Sequence, residues 1–592
     1  MADSIPSRFF DQGRKQPELP AAHRRKDGAW QTLSWREYTD LARRIARALI
    51  ALGVQQRQAT CILGFNRVEW VTFAIGTQAA GGVPAGIYTT CSPGEVQYII
   101  AHAEAAVVLV EDAVQFAKIA AERERLPGLR HVVLMQGAVV DDPLALTWEQ
   151  FLARGDAVPD AAVDERLRAI EPEDPATYIY TSGTTGPPKA VMLGHRTVLW
   201  TAGALAGLVT YAPDDCLLSY LPLSHIAEQM LSVYIPITTG THIYFAEALE
   251  KVPDNLKEVQ PTVFFGVPRI WEKFHAAVRG RLAQVTGARK RLIEWAMGVA
   301  RRVHAHKNRG EAPSTALALQ YALAQRLVFR KLKTALGLGR VKYCSSGAAP
   351  IARDILEFFT GLDIVVYEVY GQSEDCAPTS INVPGHTRFG TVGRPLPGVE
   401  VRLAEDGEIL VRGPNLFTGY YKDPAATAET LVDGWLHSGD LGSFDADGYL
   451  SITGRKKEII ITAGGKNIAP KNIEAALKNH PLVEEAVVIG DRRRFLAALL
   501  TLQGPAAAAW MTEHGHIGEP HSHPELLAEL ERWVETVNRD FARVEHVRKF
   551  RVLPRSLTQE DGELTPTLKL KRRVIDRNWS DVIESMYVGG GE

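Results

Sequence analysis

Long apolar runs are missing. Nowhere in the 592 residues do about 18 apolar side chains follow one another, so no transmembrane helix is expected. The N-terminus, Met-Ala-Asp-Ser-Ile-Pro-Ser-Arg, has no apolar signal core, and the expected location is the cytoplasm. Cysteine is sparse. Cys61, Cys91, Cys216, Cys344 and Cys376 are odd in number and dispersed without metal-ligand spacing, which fits buried thiols in a reducing compartment. An excess of charge of either sign is also absent. Lys and Arg total 67 against 69 Asp and Glu, a formal net charge of -2 that argues against nucleic acid as the main partner. No internal repeat is evident. What remains, 46% hydrophobic and 23% charged, is the make-up of a globular chain long enough for several domains.

Short apolar strands alternate with helical patterns from the start. Trp35–Leu52 reads as an amphipathic helix, Gln58–Leu63 as a buried strand and Val68–Ala80 as a helix, with further strands at Ala106–Val110 and His131–Met135. Strand patterns resume at Cys216–Leu221, Thr262–Phe265, Val341–Ser345 and Ile364–Tyr367. This alternation predicts an α/β fold of mostly parallel sheets. Lys273–Leu338 interrupts it with a long, helical, basic segment. That segment is either a solvated insertion or a face for an anionic membrane surface. From Thr391 the pattern becomes glycine-punctuated β structure, with strands at Val399–Leu403, Glu408–Arg412 and Tyr449–Thr453, so a small barrel or sheet is expected. A domain boundary is placed after Arg455. It leaves residues 1–455 as a large domain, with a β-rich subdomain over about 391–455, and 456–592 as a smaller α+β domain.

The most informative stretch is Tyr180–Leu193, Tyr-Thr-Ser-Gly-Thr-Thr-Gly-Pro-Pro-Lys-Ala-Val-Met-Leu. Apolar segments flank four small hydroxyl residues, two glycines and a lysine, the make-up of a phosphate-holding loop between two short strands. Glycines let backbone N–H groups form an anion nest, hydroxyls add donors and Lys189 adds charge. It is not a Walker A loop, because glycine and lysine are not adjacent and no Ser or Thr follows the lysine.

Other segments carry chemistry. Cys344–Pro350 holds small residues where a strand turns toward a helix, room for a flat ring or simply a tight turn. Tyr367–Asp375 groups an aromatic, a hydroxyl and an acid. An acid beside phosphates is a natural Mg²⁺ ligand. Trp435–Asp440 offers a carboxylate that either holds a ribose or caps a turn. His514, His516, His521 and His523 cluster in a Gly- and Pro-containing stretch that reads as a solvated loop, with a transition-metal site as the rival reading.

In this order, the phosphate loop, Tyr370–Glu374, Trp435–Asp440 and Gly454–Lys457 resemble the adenylate-forming (AMP-binding) superfamily of acyl-CoA synthetases across essentially the whole chain. Leu221–Glu228, Phe264–Lys273 and Glu563–Lys571 resemble most the long-chain fatty acyl-CoA synthetases of the bubblegum type. The resemblance implies two doubly wound sheets plus a small β-barrel-like subdomain, followed by a mobile C-terminal domain. It implies ATP, Mg²⁺ and coenzyme A acting on a fatty acid through an acyl-adenylate. By the same resemblance, Thr181, Ser182, Gly183, Thr184, Thr185, Gly186 and Lys189 hold the β- and γ-phosphates. Thr185 and Glu374 are the magnesium-associated pair. Gly347, Ala348, Ala349, Tyr370 and Gly371 frame the adenine, and Ser373 approaches the α-phosphate. Asp440 and Arg455 take the ribose, and His225 stands near the acyl carboxylate. Lys569 is the adenylation lysine, Lys457 the hinge, and Gly464, Gly465 and Lys466 the loop for coenzyme A.

Some positions depart from the family pattern. Leu568 precedes Lys569 where glycine is common, Ser373 replaces a commoner threonine, and Ala190 a commoner glycine. Two other functions compete with this one: a ligase that loads a carrier-protein pantetheine, and a weakly catalytic adenylate- or acyl-binding regulator. Lys189, Glu374, Asp440, Arg455 and Lys569 together argue against the regulator. Free coenzyme A is favoured by the Gly464–Lys466 loop and by the lack of an attached carrier domain. Acyl-chain length and oligomeric state are not legible. Ile226, Phe265, Val267, Trp271 and Val369 read equally as tunnel lining or as ordinary core.

Overall fold

A computed structural model describes residues 3–181, 187–464 and 466–588. Two large sheets organise the first three-quarters of the chain. The first has eight strands in the order Gly419–Tyr420, Lys189–Gly194, Pro175–Thr181, Val83–Ile87, Ala59–Leu63, Val107–Val110, His131–Leu134 and Ala145–Leu146. The second has nine, in the order Arg394–Pro395, Ser380–Ile381, Val366–Tyr370, Tyr343–Ser346, Val263–Phe265, Cys216–Ser219, His242–Phe245, Pro20–Lys26 and Ala29–Ser34. Both are parallel at the centre; the first is antiparallel only at the Gly419–Tyr420 edge, the second at both edges. The central strands read as unbroken apolar runs because helices cover both faces. The helix Val68–Ala79 is buried along its whole length, so it is apolar all round. By contrast Trp35–Ala51 buries one face, with Tyr38, Ala42, Ile45 and Leu49 at helical spacing, and starts at a Ser34–Glu37 capping box.

The hairpin Pro20–Lys26 and Ala29–Ser34 is absent from the sequence reading. Pro-Ala-Ala-His-Arg-Arg-Lys carries no strand alternation, and its pairing comes from the exposed edge of His242–Phe245. The basic segment is a helical insertion. Gly287–Lys307 and Thr315–Ala324 form an αα-hairpin with its own small core of Ala296, Val299, Val303, Leu317, Ala324 and Phe329. Asp363 fastens this hairpin to the large domain. Its carboxylate accepts from His304 at 2.8 Å, Tyr321 at 2.5 Å and Lys333 at 2.6 Å.

Glu400–Leu403, Glu408–Arg412, Leu431–Val432, Trp435–Phe444 and Leu450–Arg455 make a five-stranded antiparallel sheet. After a single 3₁₀ turn at Lys456–Glu458 the chain builds a smaller α+β unit. A three-stranded sheet (Val483–Ile489, Leu496–Leu502, Val547–Val552) is packed by Pro470–Leu477 and Pro524–Asn538. Inside it Arg572 grips buried Glu474 through two hydrogen bonds of 2.8 and 2.7 Å.

Candidate active site

The cleft between the two units is built around Asp440. The strand Trp435–Phe444 pairs Asp440 with Arg455 across the antiparallel ladder. Arg455 Nε donates to Asp440 Oδ1 at 2.9 Å, and the Tyr370 hydroxyl donates to Asp440 Oδ2 at 3.0 Å. Both carboxylate oxygens are thereby aligned, and Tyr370, at the end of Val366–Tyr370, is held at the mouth of the second sheet. Gly347 follows the neighbouring strand Tyr343–Ser346. A Cβ there would stand 3.0 Å from the Val369 carbonyl oxygen and 3.5 Å from the Phe265 ring, so glycine keeps this ledge flat. Ala348 takes φ +70°, turning the chain sharply, and Ala348 and Ala349 are exposed at the cleft.

Gly371 is a second obligatory glycine: a Cβ would fall 1.4 Å from the Ala377 carbonyl oxygen. The chain doubles back tightly there, with the Gln372 N–H donating to buried Asp375 at 2.7 Å. This turn places buried Ser373 and half-buried Glu374 side by side. Among the described residues, the Glu374 carboxylate hydrogen-bonds the Tyr420 hydroxyl at 2.8 Å. The Lys189 ammonium lies 4.8 Å from the centroid of that same Tyr420 ring and 3.9 Å from Asp423. A half-buried carboxylate whose partner is a neutral phenol, facing a lysine across one ring, suits a hard divalent cation and phosphate.

Thr181 and Lys189 are register partners at the ends of the antiparallel pair Pro175–Thr181 and Lys189–Gly194. Ser182, Gly183, Thr184, Thr185 and Gly186 lie outside the described residues. Gly465 also lies outside them.

The small domain brings Lys569 into the same cleft. Its loop is pinned at both ends. The Lys569 N–H donates to Thr565 Oγ1 at 3.0 Å, the Thr565 N–H to the Lys569 carbonyl at 2.8 Å, and Thr90 of the large domain to the Pro566 carbonyl at 2.8 Å. Water reaches the side chain, yet the walls around it are protein on most sides. That burial lowers its pKa, followed by the Arg455 and Lys471 charges, with Asp440 and Glu458 opposing. Leu568 stands at φ +59°, the left-handed region that favours glycine, and remains 65% exposed. A backbone conformation that glycine adopts without steric cost is carried here by a leucine.

His225 caps the helix Ile226–Gln229, its Nδ1 accepting from the Ala227 N–H at 3.1 Å. Burial first, and then the Lys569 charge, push its pKa down to about 4, so the ring is neutral with Nε2 carrying the proton. Lys457 is exposed in the 3₁₀ turn. Its neighbour Lys456 makes the ion pairs there, 2.6 Å to Asp406 and 3.1 Å to Glu408. Gly464 and Lys466 are exposed, and the loop closes on itself through Thr462 N–H to the Lys466 carbonyl at 3.0 Å. The structure thus gathers Tyr370, Asp440, Arg455, Lys569 and His225 at one cleft, while the loop that carries Gly464 and Lys466 is tied to Arg493 of the small domain through the Ala463 N–H at 2.8 Å. Ile226 and Trp271 are fully buried core, whereas Phe265, Val267 and Val369 are half-buried. In the histidine cluster, the His514 and His516 rings stack with centroids 5.9 Å apart, and those of His516 and His523 are tilted at 4.3 Å. Among the described residues these side chains do not converge into a metal-binding group.

The motifs do not single out Tyr420, which lies in the short edge strand Gly419–Tyr420, or the buried Asn66 and Glu228 beneath His225. Their partners come from distant segments. A tyrosine flanked by glycine, between the β-rich segment and the first sheet, was the one available signal.

Comparison with known proteins agrees with this geometry. The AMP-binding enzyme family matches residues 9–421, and the AMP-binding enzyme C-terminal domain matches 457–590. The long-chain-fatty-acid–CoA ligase ACSBG2 of Xenopus laevis is 36% identical over 98% of this chain and 83% of its own length. FadD15 of Mycobacterium tuberculosis, also a long-chain-fatty-acid–CoA ligase, is 35% identical over 99% of this chain and 97% of its own. Among solved structures, the A-PCP didomain of the Segniliparus rugosus carboxylic acid reductase bound to AMP has a TM-score of 0.77 at 20% identity, covering 99% of this chain and 82% of that one. The anthranilate CoA ligase AuaEII with anthranoyl-AMP has 0.73 at 19%, covering 98% of each. With both its large and small domains matched, and relatives above 30% identity along its whole length, the chain belongs to the AMP-binding enzyme family.

Proposed function

We propose that this protein is a long-chain-fatty-acid–CoA ligase working in two half-reactions. A fatty acid carboxylate oxygen attacks the α-phosphorus of ATP, and pyrophosphate leaves. The coenzyme A thiolate then attacks the acyl carbon, and AMP leaves with the carboxylate oxygen. A free carboxylate is a poor acyl donor, and the phosphate makes AMP a good leaving group. Charge builds on the phosphates, so catalysis is mainly electrostatic. The observation that carries this reading is the convergence of Lys569 from one domain with Asp440 and Arg455 from the other.

Asp440, aligned by Tyr370 and Arg455, accepts the ribose hydroxyls. Gly347 and its turn provide the flat ledge for adenine. Lys189 takes the outer phosphates, and Lys569 stands over the bond that forms. Glu374 is the protein's Mg²⁺ ligand, and the ion when bound neutralises phosphate charge. Neutral His225 donates from Nε2 toward the acyl carboxylate. In the second half-reaction the small domain turns about Lys457 and presents Gly464–Lys466 to the pantetheine arm. The test is pyrophosphate release with fatty acid and ATP, then thioester formation on adding coenzyme A. Adenylate that accumulates despite coenzyme A overturns the reading.

Peripheral contact with a membrane belongs to the same reading, because long-chain fatty acids partition into bilayers. No helix among the described residues is long and apolar enough to cross one. Leu319, Leu323 and Leu327 form an exposed stripe at helical spacing, with exposed Arg326, Arg330 and Lys331 near its C-terminal end and no acidic residue between Ser314 and Arg340. Flotation with vesicles of anionic phospholipid should carry the protein upward. A Leu323→Glu variant that floats equally well removes that stripe from the account.

A further inference from the structure

Beneath His225 lies a buried polar cluster that no step above uses. Glu228 is 3% exposed and Asn66 1%. Glu228 Oε1 accepts from Ser219 Oγ at 2.7 Å, Ser232 Oγ at 2.7 Å and Asn66 Nδ2 at 3.3 Å. Asn66 Nδ2 also donates to Ser219 Oγ at 2.8 Å and to the Leu221 carbonyl at 2.7 Å, and its Oδ1 accepts from the Leu223 N–H at 3.3 Å. Gln229 closes the arrangement from the helix side, donating to the Leu223 carbonyl at 2.8 Å.

The cluster sits where the two large sheets meet. Asn66 follows the strand Ala59–Leu63 of the first, and Ser219 ends the strand Cys216–Ser219 of the second. Between them runs Leu221–His225, a segment too short for regular structure. Its backbone is held by side chains, two bonds from Asn66 and one from Gln229, while Glu228 ties the following helix back to Ser219. A polar cluster this deeply buried costs desolvation, which core packing alone would not require. Its cost is matched by what it fixes, the direction in which His225 leaves the loop. Burial raises Glu228 to about 8, so near neutral pH it adds no negative charge beside an incoming carboxylate.

We propose that Asn66 and Glu228 are positioning residues for the acyl-adenylation step, acting through His225 by clamping the Leu221–His225 loop across the two sheets. This rests on the fatty-acid-activating reading above.

A double-mutant cycle on pyrophosphate release tests it. With His225 present, Asn66→Ala and Glu228→Ala should each lower kcat/KM for fatty acid about tenfold or more, leaving the KM for ATP unchanged, since displacement of a reacting group by about 1 Å has effects of that order. In a His225→Ala background the same changes should cost less than about twofold. Glu228→Gln keeps an oxygen for Ser219 and Ser232 and should restore part of the loss. It also carries the cycle if Glu228→Ala melts early. Equal losses in both backgrounds, or a parallel rise in the KM for ATP, overturn the proposal. A wild-type protein that releases no pyrophosphate with any fatty acid overturns instead the reading on which it rests.

Discussion

The Tyr420 hydroxyl donates to Glu374 Oε1 at 2.8 Å. Burial, and then the Glu374 charge, hold that phenol far above its ordinary pKa, so it stays a donor at every working pH. The same ring faces Lys189 at 4.8 Å. One tyrosine therefore contacts both the acidic and the basic group of the proposed phosphate end.

Tyr420→Phe keeps the ring under Lys189 and removes the hydroxyl. The Mg²⁺ concentration for half-maximal pyrophosphate release should rise about tenfold, the usual size of losing a group that orients a metal ligand. Tyr420→Leu should add a several-fold rise in the KM for ATP as the cation–π contact goes. A Mg²⁺ titration unchanged in Tyr420→Phe refutes the link to Glu374.

In the proposed reaction Lys569 acts as a cation, so adenylation should fall as pH rises through its pKa. Burial, Arg455 and Lys471 set that value below the ordinary lysine value of 10.5. Lys471→Met removes one of those cations and frees Glu458, its partner at 3.0 Å. Both changes favour the charged form of Lys569, and the alkaline limb of the pH–rate profile should move upward. A limb that stays in place or moves down counts against this. Lys569→Ala should cripple adenylation while sparing thioester formation from supplied acyl-adenylate.

Leu568 at φ +59° carries a left-handed backbone that costs a non-glycine residue about 1–2 kcal/mol. Its side chain is 65% exposed, so little packing is lost on truncation. Leu568→Gly should raise stability by up to about 1 kcal/mol, the relief being partly offset by glycine's greater freedom when unfolded. Differential scanning calorimetry reads this as a higher Tm. A lower Tm would contradict the strain.

Asp363 fastens the helical insertion. Burial alone would raise its carboxyl, but His304, Lys333 and Tyr321 outweigh that and hold it well below the usual carboxylate range. Its contribution to stability is therefore present above the unfolded carboxylate pKa and fades only as pH falls through the lower folded value. Asp363→Ala should cost about 3–5 kcal/mol, the size expected for orphaning a buried cation and its fellow donors. Hydrogen exchange should quicken over 287–335 before the sheets are affected. Uniform loss of protection across the large domain would assign Asp363 a different role.

The periodic elements and the chemistry of the motifs are written locally along the chain. Trp35–Ala51, Ala59–Leu63, Val68–Ala79 and Glu408–Arg412 were legible within a residue or two because their side-chain spacing is local. So was the hairpin that frames Thr181 and Lys189, since apolar flanks around a Gly/Ser/Thr run need no distant partner. Tyr370, Asp440, Arg455 and Lys569 could be named one by one from their motifs. Only the tertiary structure decided that Asp440 is gripped from both sides, that Lys569 reaches it from another domain, and that Leu568 keeps a glycine's conformation. The same holds for Tyr420, which meets Lys189 from a distant segment, and for Asn66 with Glu228, which are 162 residues apart. The hairpin Pro20–Lys26 and Ala29–Ser34 exists because an edge strand far along the chain accepts it. Local periodicity is written in neighbouring residues. Contacts across such separations are fixed only when folding has brought their partners together, and no spacing rule along the chain encodes them.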